Sequence, residues 1–406
     1  MLLIPLCGPA YPPARRSEDD PFSTNRMIPL LVALVCSLVL TALIVRGRRA
    51  PTVLGRDHDL SGPQKFHGSP VPRIGGIGIF AGMLIGLGVS AFQLEGGLQV
   101  PLLVFACGVF AFTSGLLEDF TGRVRPAIRL GFTSLSAIAA ALLVDALIDR
   151  VPIPGIDLVV TTYAGALGVT VLAVAGMANS VNIIDGFNGL ASMCAVIMLA
   201  CFGYVAFQVG DALVLTMALV GVGAILGFFF WNFPHGLVFL GDGGAYFLGF
   251  WVAETAILLL HRNQEVSPLF ALLACIYPIF ETLFSIYRRV VVRARPASVP
   301  DGIHLHSLLY RRIMRWAVAR DGRERPLRLR NSMTSPYLWV MCMLAGLPAV
   351  LFWDNTAVLA VCIVLFSVTY VLLYRSIVRF RTPRFLTFSR WSDSTARAPR
   401  PPSSRG

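Results

Sequence analysis

The chain has 406 residues, of which 56% are hydrophobic and only 14% are charged, and its formal net charge is +12. About one residue in four is charged in an ordinary soluble domain, so this composition excludes that class of protein. The positive charge fits basic loops that lie against anionic lipid headgroups, and nucleic-acid binding is not needed to explain it.

Apolar runs of about 18 to 25 residues recur along the whole chain, which is the pattern of membrane-spanning helices. The sequence therefore predicts an all-α integral membrane protein, a polytopic bundle of about 11 transmembrane helices. The predicted spans are 27–46, 74–95, 98–117, 127–147, 158–178, 190–208, 212–231, 243–260, 268–287, 336–353 and 356–374.

The basic residues predict how these spans are oriented. Arg46, Arg48 and Arg49 follow the first apolar run, which places its C-terminal end in the cytoplasm. Alternation then places the long basic loop 293–334 in the cytoplasm, whereas the loops on the opposite side are short and poor in arginine. The N-terminus is therefore predicted outside and the C-terminus inside.

Three regions follow from this organisation. Residues 1–26 are rich in proline, arginine and acidic residues, which predicts a disordered segment or a start upstream of the true one at Met27. Residues 27–375 form one polytopic membrane domain, because no fixed-period repeat is visible. Residues 376–406 are predicted to be a basic cytoplasmic tail.

A basic island precedes the second span. Lys65, His67 and Arg73 lie just before Gly75 and Gly76, where a helix is predicted to begin. Cationic side chains beside a helix N-terminus favour a bound phosphate group. The alternative is ordinary positive charge on the cytoplasmic side of a membrane protein.

Two adjacent carboxylates, Glu118 and Asp119, close the third span. Like charges at a membrane mouth repel one another unless a cation lies between them. The alternative is a solvated pair that is balanced by Arg123, Arg125 and Arg129.

A polar island separates the fifth and sixth spans and contains Asn182, Asp185, Gly186, Asn188 and Gly189. Ionisable groups at such a place are candidates for a functional site, because a ligand or partner must offset their desolvation. The aspartate can hold a metal ion and the carboxamides can both donate and accept hydrogen bonds. The alternative is a set of helix caps.

The next island leads into the eighth span and contains Asn232, Phe239 and Asp242. Glycines flank Asp242, and such a compact carboxylate site suits Mg²⁺, which prefers few protein oxygens together with substrate phosphates and water. Phe239 offers an aromatic face for a base. A turn with Asp242 as a helix cap is the alternative.

Two histidines stand in the longest cytoplasmic loop. In an extended segment His304 and His306 project to the same side. Imidazoles beside the arginines that follow suit an oxyanion or a pyrophosphate, whereas two histidines without a third nitrogen or sulfur ligand do not favour zinc. A solvated loop remains the alternative.

Acidic groups for a divalent cation, basic groups for phosphates and aromatic or carboxamide groups for a base are thus all predicted on one aqueous face. This combination is typical of phosphoryl transfer, in which catalysis is mainly positioning and charge neutralisation. The surrounding bilayer indicates a lipid acceptor.

The order of these motifs resembles the polyprenyl-phosphate N-acetylhexosamine-1-phosphate transferases, glycosyltransferase family 4, from about residue 30 to 375. The matching motifs are Lys65…His67…Pro72-Arg73…Gly75-Gly76, Gly115-x-x-Glu118-Asp119, Asn179-x-x-Asn182-x-x-Asp185-Gly-x-Asn188-Gly-Leu-Ala, Phe239-Leu-Gly-Asp242-x-Gly and His304-x-His306.

The resemblance implies a reaction and its reactants. A UDP-N-acetylhexosamine would donate its sugar-1-phosphate to undecaprenyl phosphate, UMP would be released, and Mg²⁺, or Mn²⁺ in its place, would assist. This would be the first membrane step of O-antigen or related cell-surface polysaccharide synthesis. The enzyme would lie in the bacterial inner membrane with its active site facing the cytoplasm.

The resemblance also implies residue roles. Asp242 would be the principal Mg²⁺ ligand, with Asp185 and Asn182 as donor-site and metal-supporting residues. Glu118 and Asp119 would orient the lipid phosphate, and uridine would be contacted by Asn188, Asn232 and Phe239. The phosphates would be contacted by Lys65, His67, Arg73, His304 and His306.

Two departures from the family pattern matter. The usual first aspartate of the pair is Glu118, and the third histidine of the usual His-x-His-His is Ser307, which argues against the peptidoglycan branch, the phospho-N-acetylmuramoyl-pentapeptide transferases. A transporter is the alternative from another class, but its site would lie near the bilayer midplane. The sequence leaves open which sugar is carried and the oligomeric state, a homodimer included.

Overall fold

The computed structural model describes residues 24–47, 71–91, 99–294, 303–311 and 331–379, and within them it contains helices and no β-strand. The prediction of an all-α protein is thereby confirmed. The helices, numbered here in chain order, are α1 Thr24–Gly47, α2 Gly76–Ser90, α3 Gln99–Thr121, α4 Pro126–Val144, α5 Ile156–Val160, α6 Tyr163–Ile184, α7 Leu190–Gln208, α8 Ala212–Asn232, α9 Gly241–Arg262, α10 Pro268–Ala274, α11 Ile276–Tyr287, α12 Leu305–Leu309, α13 Ser335–Leu351 and α14 Thr356–Val378.

Among the described residues, 8 helices are long and apolar enough to cross a membrane, and the number is up to 9 if the pair formed by α10 and the helix that follows it counts as one bent span. These findings make the chain a multi-pass membrane protein. A helix also lies in each of the other two predicted spans, but α2 has 15 residues and α13 has 17. The count of about eleven and the orientation of the termini stay predictions. The same holds for the predictions on residues 1–26 and 376–406, of which residues 1–23 and 380–406 lie outside the described residues.

Helix α9 lies at the centre of the bundle. In the most apolar 18-residue stretch of this helix, 94% of the residues are buried. The helix packs against α3 and α6 as well as α2 and α7. Glu254 lies in the middle of α9 and is fully buried, and neither of its carboxylate oxygens has a hydrogen-bond partner in the described part of the chain. The helix is therefore almost completely enclosed by protein.

Small residues let the neighbouring helices approach α9 closely. A methyl group added at Gly76 of α2 would lie 2.6 Å from the backbone nitrogen of Gly244 in α9. One added at Gly115 of α3 would lie 2.5 Å from the backbone nitrogen of Gly243. Contacts between backbones of this kind are common where membrane helices pack through small side chains, and they bring the ends of α2 and α3 to the start of α9.

Polar contacts fix the C-terminal end of α9. Arg150 donates to the carbonyl of Leu260 at 2.8 Å, which satisfies one of the last acceptors of the helix. Asp211 accepts from Arg262 Nε at 2.7 Å and from Asn263 Nδ2 at 3.0 Å. Both sets of contacts come from loops at that end, and they fix the position of the C-terminus of α9.

The predicted span 268–287 is broken. Helix α10 ends at Ala274, α11 begins at Ile276, and the two axes differ by 75°. The helix after this bend continues through a π-helical turn, Arg288–Val292. The bend directs α11 towards the segment that carries the histidines.

Candidate active site

The first residues of α9 form the centre of a charged cluster. Asp242 Oδ1 lies 3.2 Å from Nη2 of Arg73, and its Oδ2 forms an ion pair with Nη1 of Arg129. Arg129 is buried, and its guanidinium lies 5.5 Å from the ring centroid of Tyr246, one turn further along α9. Two arginines from α4 and from the segment before α2 therefore converge on one carboxylate.

Asp119 caps the same helix from the end of α3. Its two carboxylate oxygens accept the backbone N–H groups of Asp242 and Gly243, each at 2.9 Å. The side chain is 1% exposed, and Arg73 Nε lies 3.9 Å from Oδ1. Because the first N–H groups of a helix have no partner within it, this carboxylate fixes the place of Asp242.

Glu118 has a different environment from its neighbour. Its Oε2 accepts the backbone N–H of Val124 at 2.6 Å, so it caps the turn between α3 and α4. Asp119 and Glu118 thus contact different elements, although their charges still interact. Their joint action on a lipid phosphate stays a prediction.

The turn between α6 and α7 brings Asp185 into the cluster. Its backbone N–H donates to the carbonyl of Asn182, in the last turn of α6, at 3.3 Å. Burial raises the pKa of Asp185 to about 7, although the positive charge of Arg73 opposes this effect. No hydrogen bond or ion pair of the Asp185 side chain occurs within the described residues, and its charge also interacts with that of Asp119.

The two histidines lie against this turn. A methyl group added at Gly186 would lie 3.3 Å from Nε2 of His306, and the rings of Phe187 and His306 are 5.5 Å apart. His304 stacks on His306 with 5.2 Å between the ring centroids and 12° between the planes. The structure thus places His306 against the turn that carries Asp185, and His304 is stacked on His306.

Asn188 lies in a buried junction beside the cluster. Its backbone N–H donates to Oδ1 of Asn331 at 2.8 Å, and its side-chain nitrogen donates to Oγ of Ser332 at 3.1 Å and to the carbonyl of Pro234 at 3.3 Å. The hydroxyl of Ser335 donates to the carbonyl of Asn188 at 2.6 Å. These contacts join the turn after α6 to the start of α13.

Asn232 has a similar position at the end of α8. Its Oδ1 accepts the backbone N–H of Gly189 at 2.5 Å, and its nitrogen donates to the carbonyl of Val238 at 2.7 Å. Both asparagine side chains are therefore engaged with protein groups. Their predicted contacts with uridine stay predictions.

Phe239 is partly buried, and its backbone joins the two segments around the cluster. Its N–H donates to the carbonyl of Pro72 at 2.8 Å, and its carbonyl accepts the N–H of Gly75 at 2.9 Å. This pairing places Arg73 opposite Asp242. Lys65 and His67 lie outside the described residues.

The carboxylates of the cluster fit Mg²⁺. Within the described residues, no three His, Cys, Asp or Glu side chains converge as a metal-binding group. Mg²⁺ does not need such a group, because one or two carboxylates together with substrate phosphates and waters usually hold it. Asp242 contacts Arg73, and the charge of Arg73 also acts on Asp185, so these two carboxylates are the candidates for such a site; the arginines that neutralise Asp242 can pair with a phosphate instead.

The sequence pattern does not indicate the contacts of two charged residues in this region. Arg129 was interpreted only as a counter-charge to the carboxylate pair, since its spacing does not indicate a contact with Asp242. Glu281 was hidden within an apolar run, but it lies directly behind the histidines: its Oε1 is 3.1 Å from Nδ1 of His304. A lone carboxylate inside a predicted span was the available signal.

Comparison with known proteins places this chain in a family. The family model described as glycosyl transferase family 4 matches residues 101–260. A probable undecaprenyl-phosphate N-acetylglucosaminyl 1-phosphate transferase of Bacillus subtilis (strain 168) is 31% identical over 292 residues, which cover 70% of this chain and 78% of that protein. The chain belongs to glycosyl transferase family 4. It is a phosphosugar transferase, as the motif resemblance predicted.

Two further relatives show the breadth of the similarity. A decaprenyl-phosphate N-acetylglucosaminephosphotransferase of Mycobacterium leprae (strain TN) is 24% identical over 368 residues, which cover 84% of this chain and 87% of the relative. A phospho-N-acetylmuramoyl-pentapeptide-transferase of Bacillus cytotoxicus is 30% identical over 215 residues, which cover 50% of this chain and 65% of the relative. Both branches of the family are thus represented.

Proposed function

We propose that this family 4 transferase moves N-acetylglucosamine-1-phosphate, or a closely related N-acetylhexosamine-1-phosphate, from a UDP-sugar to undecaprenyl phosphate and releases UMP. The observation that carries the proposal is the start of α9, where Asp242 lies between Arg73 and Arg129 and is fixed by Asp119. This arrangement offers a carboxylate for a cation and two guanidiniums for phosphates at one place.

The relatives support the choice of reactants. The Bacillus subtilis and Mycobacterium leprae relatives are both named for a polyprenyl phosphate and for N-acetylglucosamine. The pentapeptide transferase is the second candidate, since a relative of that name is also similar to this chain. Ser307, in place of a third histidine, favours the first candidate.

In the proposed reaction an oxygen of the lipid phosphate attacks the phosphorus that bears the sugar. A new P–O bond forms, and the bond between that phosphorus and the bridging oxygen breaks, so that UMP leaves with the oxygen. Much of a phosphate monoester is dianionic near neutral pH, and the acceptor therefore needs orientation more than deprotonation.

The residues of the cluster would act by positioning and charge. Asp242 and Asp185 would hold Mg²⁺, which when bound supplies positive charge to the diphosphate oxygens. Arg73 and Arg129 would pair with phosphate oxygens, and His306 would approach them from the turn at Asp185. A covalent intermediate on Asp119 is disfavoured, because both of its oxygens already accept backbone N–H groups.

An apolar cavity supports a long-chain lipid as the acceptor. It has a volume of about 910 Å³ and lies between the histidine segment and the last two helices. Its lining includes Leu273, Leu309, Val340, Leu344, Leu365 and Leu372. The apolar lining matches the hydrocarbon of the bilayer, from which the prenyl units of the acceptor would enter the cavity.

The test uses the purified full chain with undecaprenyl phosphate, Mg²⁺ and a panel of donors: UDP-GlcNAc, UDP-GalNAc, UDP-FucNAc and UDP-MurNAc-pentapeptide. We expect release of UMP that requires both the lipid phosphate and the divalent cation, and that is fastest with UDP-GlcNAc. Release only with the pentapeptide donor would establish the second candidate. No release with any of these donors would refute the proposed reaction.

The same proposal includes the setting. The active site would face the cytoplasm of the bacterial inner membrane, where nucleotide sugars are made, and the product would start O-antigen or a related cell-surface polysaccharide. Accessibility of a single cysteine placed in the loop between α3 and α4 to a membrane-impermeant reagent, in intact cells and in inverted vesicles, tests the orientation. Labelling in inverted vesicles alone is the expected result, and labelling in intact cells would contradict it.

A further inference from the structure

Glu281 is a buried carboxylate to which the proposed reaction assigns no role. Its side chain is 1% exposed and lies in the middle of α11. Its Oε1 accepts the backbone N–H of Leu305 at 3.0 Å and lies 3.1 Å from Nδ1 of His304. The hydroxyl of Tyr370 donates to Oε2 at 2.6 Å. Two of the three contacts are with the start of the histidine segment, and the third is with α14.

The carboxylate defines the hydrogen that His304 carries. An ionised carboxylate can only accept hydrogen bonds, so Nδ1 must bear a hydrogen in order to bond with Glu281. Nε2 then lies on the side of the ring away from the carboxylate. A carboxylate or carbonyl behind a functional histidine commonly fixes the tautomer and the ring orientation in this way.

Helix α14 also holds the same segment. The hydroxyl of Tyr374 donates to the carbonyl of Ile303 at 3.2 Å, and Arg288 Nη1 donates to that hydroxyl at 2.5 Å. Tyr370 belongs to the same helix as Tyr374. The backbone around His304 is therefore fixed by two helices, and Glu281 is the contact that also reaches the imidazole.

The effect extends to the active-site turn through the stacked rings. Since His304 packs in parallel on His306, fixing one ring limits the tilt of the other. His306 Nε2 in turn lies over Gly186, next to Asp185. A continuous series of contacts thus joins the buried carboxylate to the place where the diphosphate would bind.

We infer that Glu281 is a positioning residue for the transferase: it holds His304 with its hydrogen on Nδ1 and, through the stacked pair, aims His306 at the phosphates beside Asp185. This inference rests on the proposed function. A purely structural role predicts a different outcome, in which the packing of α11 depends on Glu281 but catalysis in the folded protein does not.

Glu281→Gln tests the inference with little change in shape: the amide oxygen can still accept from His304 and Leu305, but a neutral acceptor holds the imidazole less strongly than an ionised carboxylate does. We expect kcat to fall about tenfold, at the lower end of the range of about 10 to 100 that is typical for partners behind functional ligands. The KM for the lipid phosphate and the unfolding temperature should stay close to the parent values. The matched control is Glu254→Gln, which alters the other fully buried glutamate and should leave kcat unchanged.

A double-mutant cycle shows whether Glu281 acts through His304. If it does, Glu281→Gln should have no further effect on kcat once His304→Gln is present. Either of two results would overturn the inference: a kcat for Glu281→Gln within twofold of the parent, or a full tenfold loss added to that of His304→Gln.

A second readout does not depend on turnover. The ¹⁵N signals of the His304 ring in the full chain, assigned by their loss in His304→Gln, should report hydrogen on Nδ1 in the parent and a mixture of tautomers in Glu281→Leu. The same mixture in the parent would overturn the inference. If the signals are as expected but no donor gives UMP, the proposed function fails while the contact between Glu281 and His304 stands.

Discussion

Asp119→Asn removes the negative charge that caps α9 and leaves the volume of the side chain almost unchanged. Asparagine offers one carbonyl oxygen, so only one of the N–H groups of Asp242 and Gly243 keeps its acceptor, and the other faces an amide NH₂ group. Hydrogen bonds to charged groups contribute about 1.5–3 kcal/mol and neutral ones about 0.5–1.5 kcal/mol. The loss of one bond and the weakening of the other give about 2–4 kcal/mol.

Relief from burying a charge offsets part of this loss, because an ionised carboxylate is poorly solvated where Asp119 lies. We therefore expect the free energy of unfolding to fall by about 2 kcal/mol. The effect on catalysis should be larger. A displacement of about 1 Å in a group that positions a substrate can lower the rate about 10²-fold, and Asp119 fixes the place of Asp242.

Glu118→Gln is the matched variant, since the two residues are adjacent. The amide oxygen of glutamine can still accept from Val124 N–H, so we expect a loss of about 1 kcal/mol or less and a kcat within about tenfold of the parent. Both variants should be compared by UMP release at saturating Mg²⁺ and by thermal unfolding in the same detergent. The reasoning is refuted if Glu118→Gln is the more damaging change, or if Asp119→Asn unfolds earlier and yet keeps its parent kcat.

Three further predictions concern the same cluster. Asp242→Asn should abolish turnover in protein that is still inserted in the membrane, because it removes a charged ligand for Mg²⁺; near-parent activity at saturating Mg²⁺ would rule out that role. Phe239→Ala and Asn188→Ala should both raise the KM for the UDP-sugar and not that for the lipid. Asn188→Ala should in addition lower the unfolding temperature, because its junction is buried; equal unfolding temperatures of the two variants would contradict this difference. Gly76→Ala should lower the free energy of unfolding by about 1–3 kcal/mol through overpacking, measured against Gly88→Ala in the same helix, which has open space and should have no such effect.

The positions of the helices were largely predictable from the sequence. Long apolar runs have few alternatives to a helix in a bilayer, since every backbone polar group must be paired within the segment, and a helix occurs in each predicted span. Hydropathy did not indicate the break at Cys275; the signal in the sequence was Pro278, which has no N–H for the carbonyl of Ala274, four residues before it. The residues on either side of it are as apolar as those of an unbroken span, and hydropathy carries no information on direction.

The composition of the site was predictable, but the pairing within it was not. Polar islands beside apolar runs indicated Asp119, Asp185, Asp242 and the two histidines, and the structure brings them to one end of the bundle. Which groups touch depends on helix packing across more than one hundred residues of chain, as for Asp119 and the N–H of Asp242. The separate environments of Glu118 and Asp119 arise in this way, because adjacent residues on a helix point about 100° apart.

The enclosure of α9 has a consequence for how the protein is made. Helices of a membrane protein enter the bilayer in chain order, and a carboxylate such as that of Glu254 is expensive to expose to hydrocarbon. Helices that cover α9, among them α3 and α6, precede it in the chain. The protein surface that buries Glu254 is therefore made before α9 is inserted. Helix α9 also carries Asp242, whose partners Arg73, Arg129 and Asp119 precede it in the chain. The step that buries Glu254 therefore also assembles the catalytic cluster.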